Sequence, residues 1–293
     1  MIIDSHAHYN HTAFKNAARY LTLTENGFAL REGDRQQLLG QLQASGIRCS
    51  VEPGVSLQSC YEVLQLCCQY PGQLFPAIGV HPTRAIFEQW KKRRELVSLS
   101  AADGVVAIGE TGLDYHFPRK EQHRFLQHLW FLYQLDLAWK RRLPVILHVR
   151  DAHEDALRIL RWHPARKLGG VIHCFNGSAE TAMRYIRLGY HVGIGGGLLQ
   201  QEERAGQLWE AVRQMPMDRI LLETDAPFIL PYCKDVIPPK QLRRARNTSL
   251  ILPAVAAKIA ELKGITPEKV ERSTAENAIR IFGLPIKAEE GSV

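Results

Sequence analysis

The chain begins MIIDSHAHYN, and within it His6 and His8 stand two residues apart, just after an apolar run that ends at Asp4. In an extended strand, residues i and i+2 project to the same side, so the pair can offer two imidazoles to one point in space. A single H-x-H is short and arises readily by chance, so further ligands are needed before it signifies a metal site. The chain supplies them as Glu110 in GETGLDYH, His148 in HVRDAH, His173 in HCFNGS and Asp225 in ETDAPF. Neutral imidazoles combined with carboxylates, with no thiolate required, suit Zn²⁺, Mn²⁺ or Mg²⁺. Six ligands exceed the needs of one catalytic zinc. They fit two divalent ions at the ~3.5–4 Å separation of two-metal hydrolytic sites, with Glu110 as the natural bridge. Such a pair lowers the pKa of a bound water and absorbs charge growing on a phosphoryl oxygen, so the expected reaction class is hydrolysis. Asp225 is the expected catalytic group, able to bind a metal and to orient or deprotonate the water. Glu223, two residues earlier on the same side of its strand, either steadies a ligand histidine or is a buried residue of the interior.

These residues need a scaffold that brings distant segments to one place. Eight apolar or β-branched runs recur along the chain: MIID, RCSVEPG, LFPAIGV, VVAIGE, PVILHV, GGVIHC, YHVGIGG and RILLETD. Amphipathic stretches such as DRQQLLGQLQAS, CYEVLQLCCQY, DAHEDALRILRWH and SAETAMRYIRLG separate them. Near-continuous apolar strands alternating with helices indicate a parallel sheet covered by helices, and eight units indicate an α/β (β/α)₈ TIM barrel. A barrel should carry its functional residues at the C-terminal ends of its strands. His6 and His8, His81, Glu110, His148 with Arg150, His173, and Glu223 with Asp225 all follow such runs. Strands two and seven end in EPG and GIGGG, which read as turns. The histidines at 123, 128, 153 and 163 fall in helical patterns, and His11 and His116 in loops; none is assigned a role.

Phosphate positioning needs cations near this face. The candidates are His81, Arg150 and Arg246, the last in KQLRRARN after strand eight; Arg150 could equally form a structural ion pair. The runs KKRR and KRR at helix ends read as solvated surface. A net charge of +7 tilts weakly towards polyanionic partners. Six cysteines without C-x-x-C spacing read as reduced thiols, and with no apolar run long enough for a membrane span the expectation is a cytoplasmic protein with no membrane partner. One barrel domain is expected over 1–285, with a flexible tail at 286–293.

DSHAH, GVHP, GETGLDYH, HVRDA, HCFNGS and ETDAPF, followed by RARN and AENAIRIFGL, together resemble the TatD-type metal-dependent deoxyribonucleases in the right order over nearly the whole chain. The resemblance implies two divalent ions in a barrel that hydrolyses DNA phosphodiesters, often from 3′ to 5′ and on single strands or 3′ ends. It implies that His6, His8, Glu110 and Asp225 hold one ion, and Glu110, His148 and His173 the other. The chain departs from the pattern in the long connection over residues 9–33, read either as a helical cap packed on the rim or as an aromatic and basic guide for unpaired bases. Two rivals stand beside the nuclease reading. One is an amidohydrolase-type enzyme for a small amide, lactone or phosphoester, disfavoured because such enzymes often place a lysine where Glu110 stands. The other is a degenerate nucleic-acid-binding subunit, disfavoured because all six ligands are present.

Overall fold

A computed structural model describes residues 1–116 and 121–287. Eight strands form one parallel sheet in chain order: β1 (Ile2–Asp4), β4 (Ile47–Pro53), β5 (Leu74–Ile78), β6 (Ala107–Asp114), β7 (Val145–Arg150), β8 (Gly170–Ile172), β9 (His191–Ile194) and β10 (Ile220–Leu222). Each of the eight runs read from the sequence supplies one of these strands. The sheet curls until its first and last strands meet. Ser5 N–H donates to Leu222 O at 2.9 Å, Asp225 N–H to His6 O at 2.9 Å and His8 N–H to Ala226 O at 2.8 Å. The architecture is the expected TIM barrel.

Helices α1 (Arg35–Ala44), α2 (Leu57–Gln69), α3 (Arg93–Leu99), α4 (Glu121–Arg141), α5 (His153–Trp162), α6 (Ala179–Arg187), α7 (Glu202–Gln214), α9 (Leu252–Lys263) and α10 (Pro267–Phe282) cover the strands. Their starts are specified locally. Asp34 and Ser56 cap α1 and α2 through reciprocal side-chain and backbone hydrogen bonds, which satisfy N–H groups that a helix start leaves without partners. Ile146, Val171 and Leu221 lie two residues before His148, His173 and Glu223 and so share their direction. They join Ile3, Val51 and Ala77 in an apolar cluster with Ala275, Ala278 and Phe282 of α10, beneath the histidines. Of the expected tail at 286–293, Ile286 packs against this cluster, and 288–293 lie outside the described residues.

Residues 9–33 correct the sequence reading. The segment is neither a helical cap nor an open loop: after a single 3₁₀ turn at Thr12–Phe14 it forms an antiparallel hairpin of β2 (Ala18–Thr24) and β3 (Gly27–Gly33). The short helix α8 (Pro239–Leu242) leads into β11 (Ala245–Arg246), which adds a third strand beside β2. The two-residue turn between Thr24 and Gly27 and the alternation in ARYLTLT carried a hairpin signal. The aromatics that could have met bases are packed inward, with Phe14 and Tyr20 buried and Phe28 against the core. Arg19 pairs with Glu32. Lys15 and Arg31 remain exposed and have no ion pair among the described residues.

Candidate metal centre

At the C-terminal mouth of the barrel, the two oxygens of Glu110 face two groups of donors. His6 Nε2 and His8 Nε2 lie 3.5 and 3.7 Å from Oε2. The same nitrogens are 3.7 and 3.5 Å from Asp225 Oδ1 and 3.1 Å from each other. Four donors placed ~2.0–2.2 Å from a tetrahedral ion stand about 3.3–3.6 Å apart, so these spacings outline a cation-sized hole. On the other oxygen, His173 Nε2 lies 2.7 Å and His148 Nδ1 3.0 Å from Oε1, and these two nitrogens are 3.1 Å apart. His81 Nε2 completes this side at 3.2 Å from Oε1. The structure thus brings together all six expected ligand side chains, and His81 with them.

Electrostatics fit the donor set to divalent cations. Burial opposes ionisation of Glu110, but His173, His81 and hydrogen bonds from His148 and His173 outweigh it and hold the carboxyl well below its ordinary range. Asp225 behaves alike: burial pushes it up, while His8, His173 and His6 bring it below its usual value. Among the imidazoles, burial and the neighbouring His173 depress His6 to about 3. His8 and His148 resist burial through Asp225 and Asp114 respectively and rise to about 9. Two anionic carboxylates ringed by imidazoles that compete for positive charge form a site where cation binding displaces protons. His81 is pulled below its ordinary value, first by burial.

The remaining expected residues lie around this centre. Glu223 is buried and accepts a hydrogen bond from the Cys174 N–H, while its Oε1 stands 3.9 Å from His173 Nδ1, beyond hydrogen-bond reach. Its firm contact is with the backbone beside the histidine rather than with the ring. Arg150, at the end of β7, is exposed and has no ion pair among the described residues. Arg246, half-buried on β11, is close enough to His11 to lower its pKa, after burial and His8.

Several contributors were not legible in the sequence. Asp114 Oδ2 lies 3.0 Å from His148 Nε2 and so fixes which ring nitrogen turns towards Glu110. Fully buried Asp4 accepts from Thr224 Oγ1 and Ser249 Oγ, both at 2.6 Å, and from the His6 N–H at 3.1 Å. It ties the first strand end to the last. Glu52, in the EPG read as a turn, is a buried carboxyl that accepts from the Tyr9 N–H at 2.6 Å and Ser50 Oγ at 2.9 Å, just behind His8. Asp225 adopts left-handed backbone, with φ 54°, which an aspartate tolerates and which the hydrogen bond to His6 O holds in place. Phe228 stands at the mouth with its ring centroid 6.2 Å from His8 and 5.5 Å from His11. It remains about half exposed.

The family model described as TatD related DNase matches residues 3–283. An uncharacterized metal-dependent hydrolase, YabD, from Bacillus subtilis (strain 168) is 33% identical over 284 residues, covering 97% of this chain and all of the relative. A protein named 3′-5′ ssDNA/RNA exonuclease TatD from Erwinia billingiae is 35% identical over 266 residues, covering 90% of this chain and 98% of the relative. Among solved structures, YJJV, a TatD homolog from Escherichia coli K12, superimposes with a TM-score of 0.81 at 26% identity, covering 97% of this chain and 98% of that one.

Proposed function

The chain belongs to the TatD related DNase family of metal-dependent hydrolases, and from that premise we propose that it trims single-stranded polynucleotides from their 3′ ends at a two-ion centre bridged by Glu110. The observation that carries this reading is the division of donors between the two Glu110 oxygens, with His6, His8 and Asp225 around Oε2 and His148 and His173 around Oε1. Zn²⁺, Mn²⁺ and Mg²⁺ all suit this set of nitrogens and oxygens. Divalent ions held there supply a water of lowered pKa and compensate charge on a phosphoryl oxygen.

The chain's own groups supply the rest. Asp225, kept ionised by its histidine neighbours, orients the attacking water and takes its proton on the carboxylate. Asp114 holds the His148 ring, and Glu223 steadies the backbone that carries His173. Arg150, exposed and without a carboxylate partner among the described residues, pairs with the scissile or adjacent phosphate. Arg246 serves a phosphate further along the rim. Phe228 offers a ring face on which an unpaired terminal base stacks, which favours single strands over duplex.

Digestion of end-labelled single- and double-stranded DNA and RNA, with and without added metal, tests the reading alongside small amide and lactone substrates. Metal-dependent, stepwise loss of 3′ nucleotides from single strands is expected. Turnover confined to the amide or lactone would replace the nuclease reading with the amidohydrolase alternative.

A further inference from the structure

Outside the barrel mouth, α5 and α6 leave β7 and β8 directly, so both helices start at the rim beside His148 and His173 and run away from it. They carry one pattern twice. Glu154, Ala156, Arg158 and Arg161 on α5 recur as Glu180, Ala182, Arg184 and Arg187 on α6. Ala156 and Ala182 are both fully buried, so the two helices sit on the barrel in the same register. Spacings of i, i+4 and i+7 place each glutamate and its two arginines on one helix face. Both sets line a shared groove of about 590 Å³ between the helices, together with Leu157 and Trp162.

Near the rim two ion pairs form, while Glu180 is exposed and has none among the described residues. Arg184 reaches across the groove to Glu154, with Nη2 2.8 Å from Oε2, and Arg158 pairs with Asp155 at 2.6 Å. Farther down, Arg161 and Arg187 are exposed and have no ion pair among the described residues, and Trp162 leaves 81% of its surface bare. Two available guanidinium groups beside a bare indole match a phosphate backbone with unstacked bases. From His153 to Trp162 the helix rises about 14 Å, long enough to engage a short stretch of strand.

We propose that the α5–α6 groove is a second nucleic-acid contact, which grips the single-stranded segment trailing from a strand whose end lies at the Glu110 centre. This rests on the polynucleotide reading above. Its consequence is length dependence: long strands engage both places, short ones only the centre.

The test uses the full-length protein in chelator and measures fluorescence anisotropy of labelled oligo-dT of about twenty and about four nucleotides. R161E/R187E should weaken the long strand by about tenfold or more and leave the short one unchanged, and W162A should weaken the long strand several-fold. Metal-dependent turnover of bis(4-nitrophenyl) phosphate should stay at the wild-type level in both variants. K91E/K92E makes the same charge change on another exposed surface and should have little effect. Unchanged long-strand affinity in R161E/R187E, or an equal loss in K91E/K92E, overturns the groove while leaving the nuclease reading standing. A wild-type protein that neither binds nor hydrolyses any polynucleotide overturns both. Should R161E/R187E unfold by circular dichroism, R161Q/R187Q carries the same test with a smaller expected loss.

Discussion

His173 Nε2 lies 2.7 Å from Glu110 Oε1, whereas His6 Nε2 faces the other oxygen of the same carboxylate at 3.5 Å. One carboxylate thus addresses two sets of histidines from opposite strands of the barrel, although the His6 and His173 rings are stacked at 3.9 Å. Two stacked rings thus turn their Nε2 atoms to different oxygens of one carboxylate.

Asp225→Asn keeps the shape of the side chain and removes its charge. Hydrolysis of single-stranded DNA should fall by about 10²–10⁴-fold with the circular dichroism melt unchanged. Near-wild-type turnover in metal-replete protein would remove Asp225 from the reaction.

Asp114→Asn tests the hydrogen bond to His148 Nε2. Loss of a partner that orients a ligand histidine typically costs about 10–100-fold in metal affinity or activity. Isothermal titration with Mn²⁺ should show that weakening, and unchanged affinity would leave Asp114 a structural residue only.

Gly193 on β9 leaves room for Glu223: a Cβ there would sit 2.0 Å from Glu223 Oε2. Gly193→Ala must therefore displace the carboxyl or the strand, at a cost of about 1–3 kcal/mol. Urea denaturation should show this loss, and activity should drop with it because Glu223 is pushed off the Cys174 N–H. A fully stable, active variant would contradict the packing described here.

His191, at the start of β9 and remote from the mouth, is buried, and desolvation with help from Arg219 and Arg280 lowers its pKa to about 4. The unfolded chain protonates near the ordinary value of about 6.5, so between these values the unfolded state binds more protons. The stability contributed is complete above pH 6.5 and is lost as pH falls towards 4, reaching about 2 kcal/mol of loss at pH 5. His191→Phe should lose less stability than wild type between pH 7 and pH 5 in urea titrations. Parallel losses would show that other groups govern the acid limb.

The eight barrel strands were legible because each is a short apolar run between amphipathic stretches, and the candidate ligands were legible because they follow those runs. Glu110 and Asp225 could be singled out by position alone. What escaped was set by contacts between distant segments. Asp4 ends the first apolar run, but its contact with Ser249 across 245 positions has no local signature, and neither has that of Glu52 with the Tyr9 N–H across 43. The β2–β3 hairpin escaped for another reason. Its alternation was overshadowed by aromatic and basic residues that invited a binding role, whereas packing claims Phe14 and Tyr20 and ion pairing claims Arg19.

The central claim is that Glu110 bridges two ions. Titrating metal-free protein with Mn²⁺ under electron paramagnetic resonance tests it most directly. The account predicts two ions bound per chain and an exchange-coupled signal, as expected for ions ~3.5–4 Å apart, with Glu110→Gln abolishing the coupling. Saturation at one ion per chain, or two ions with only uncoupled signals, would contradict it.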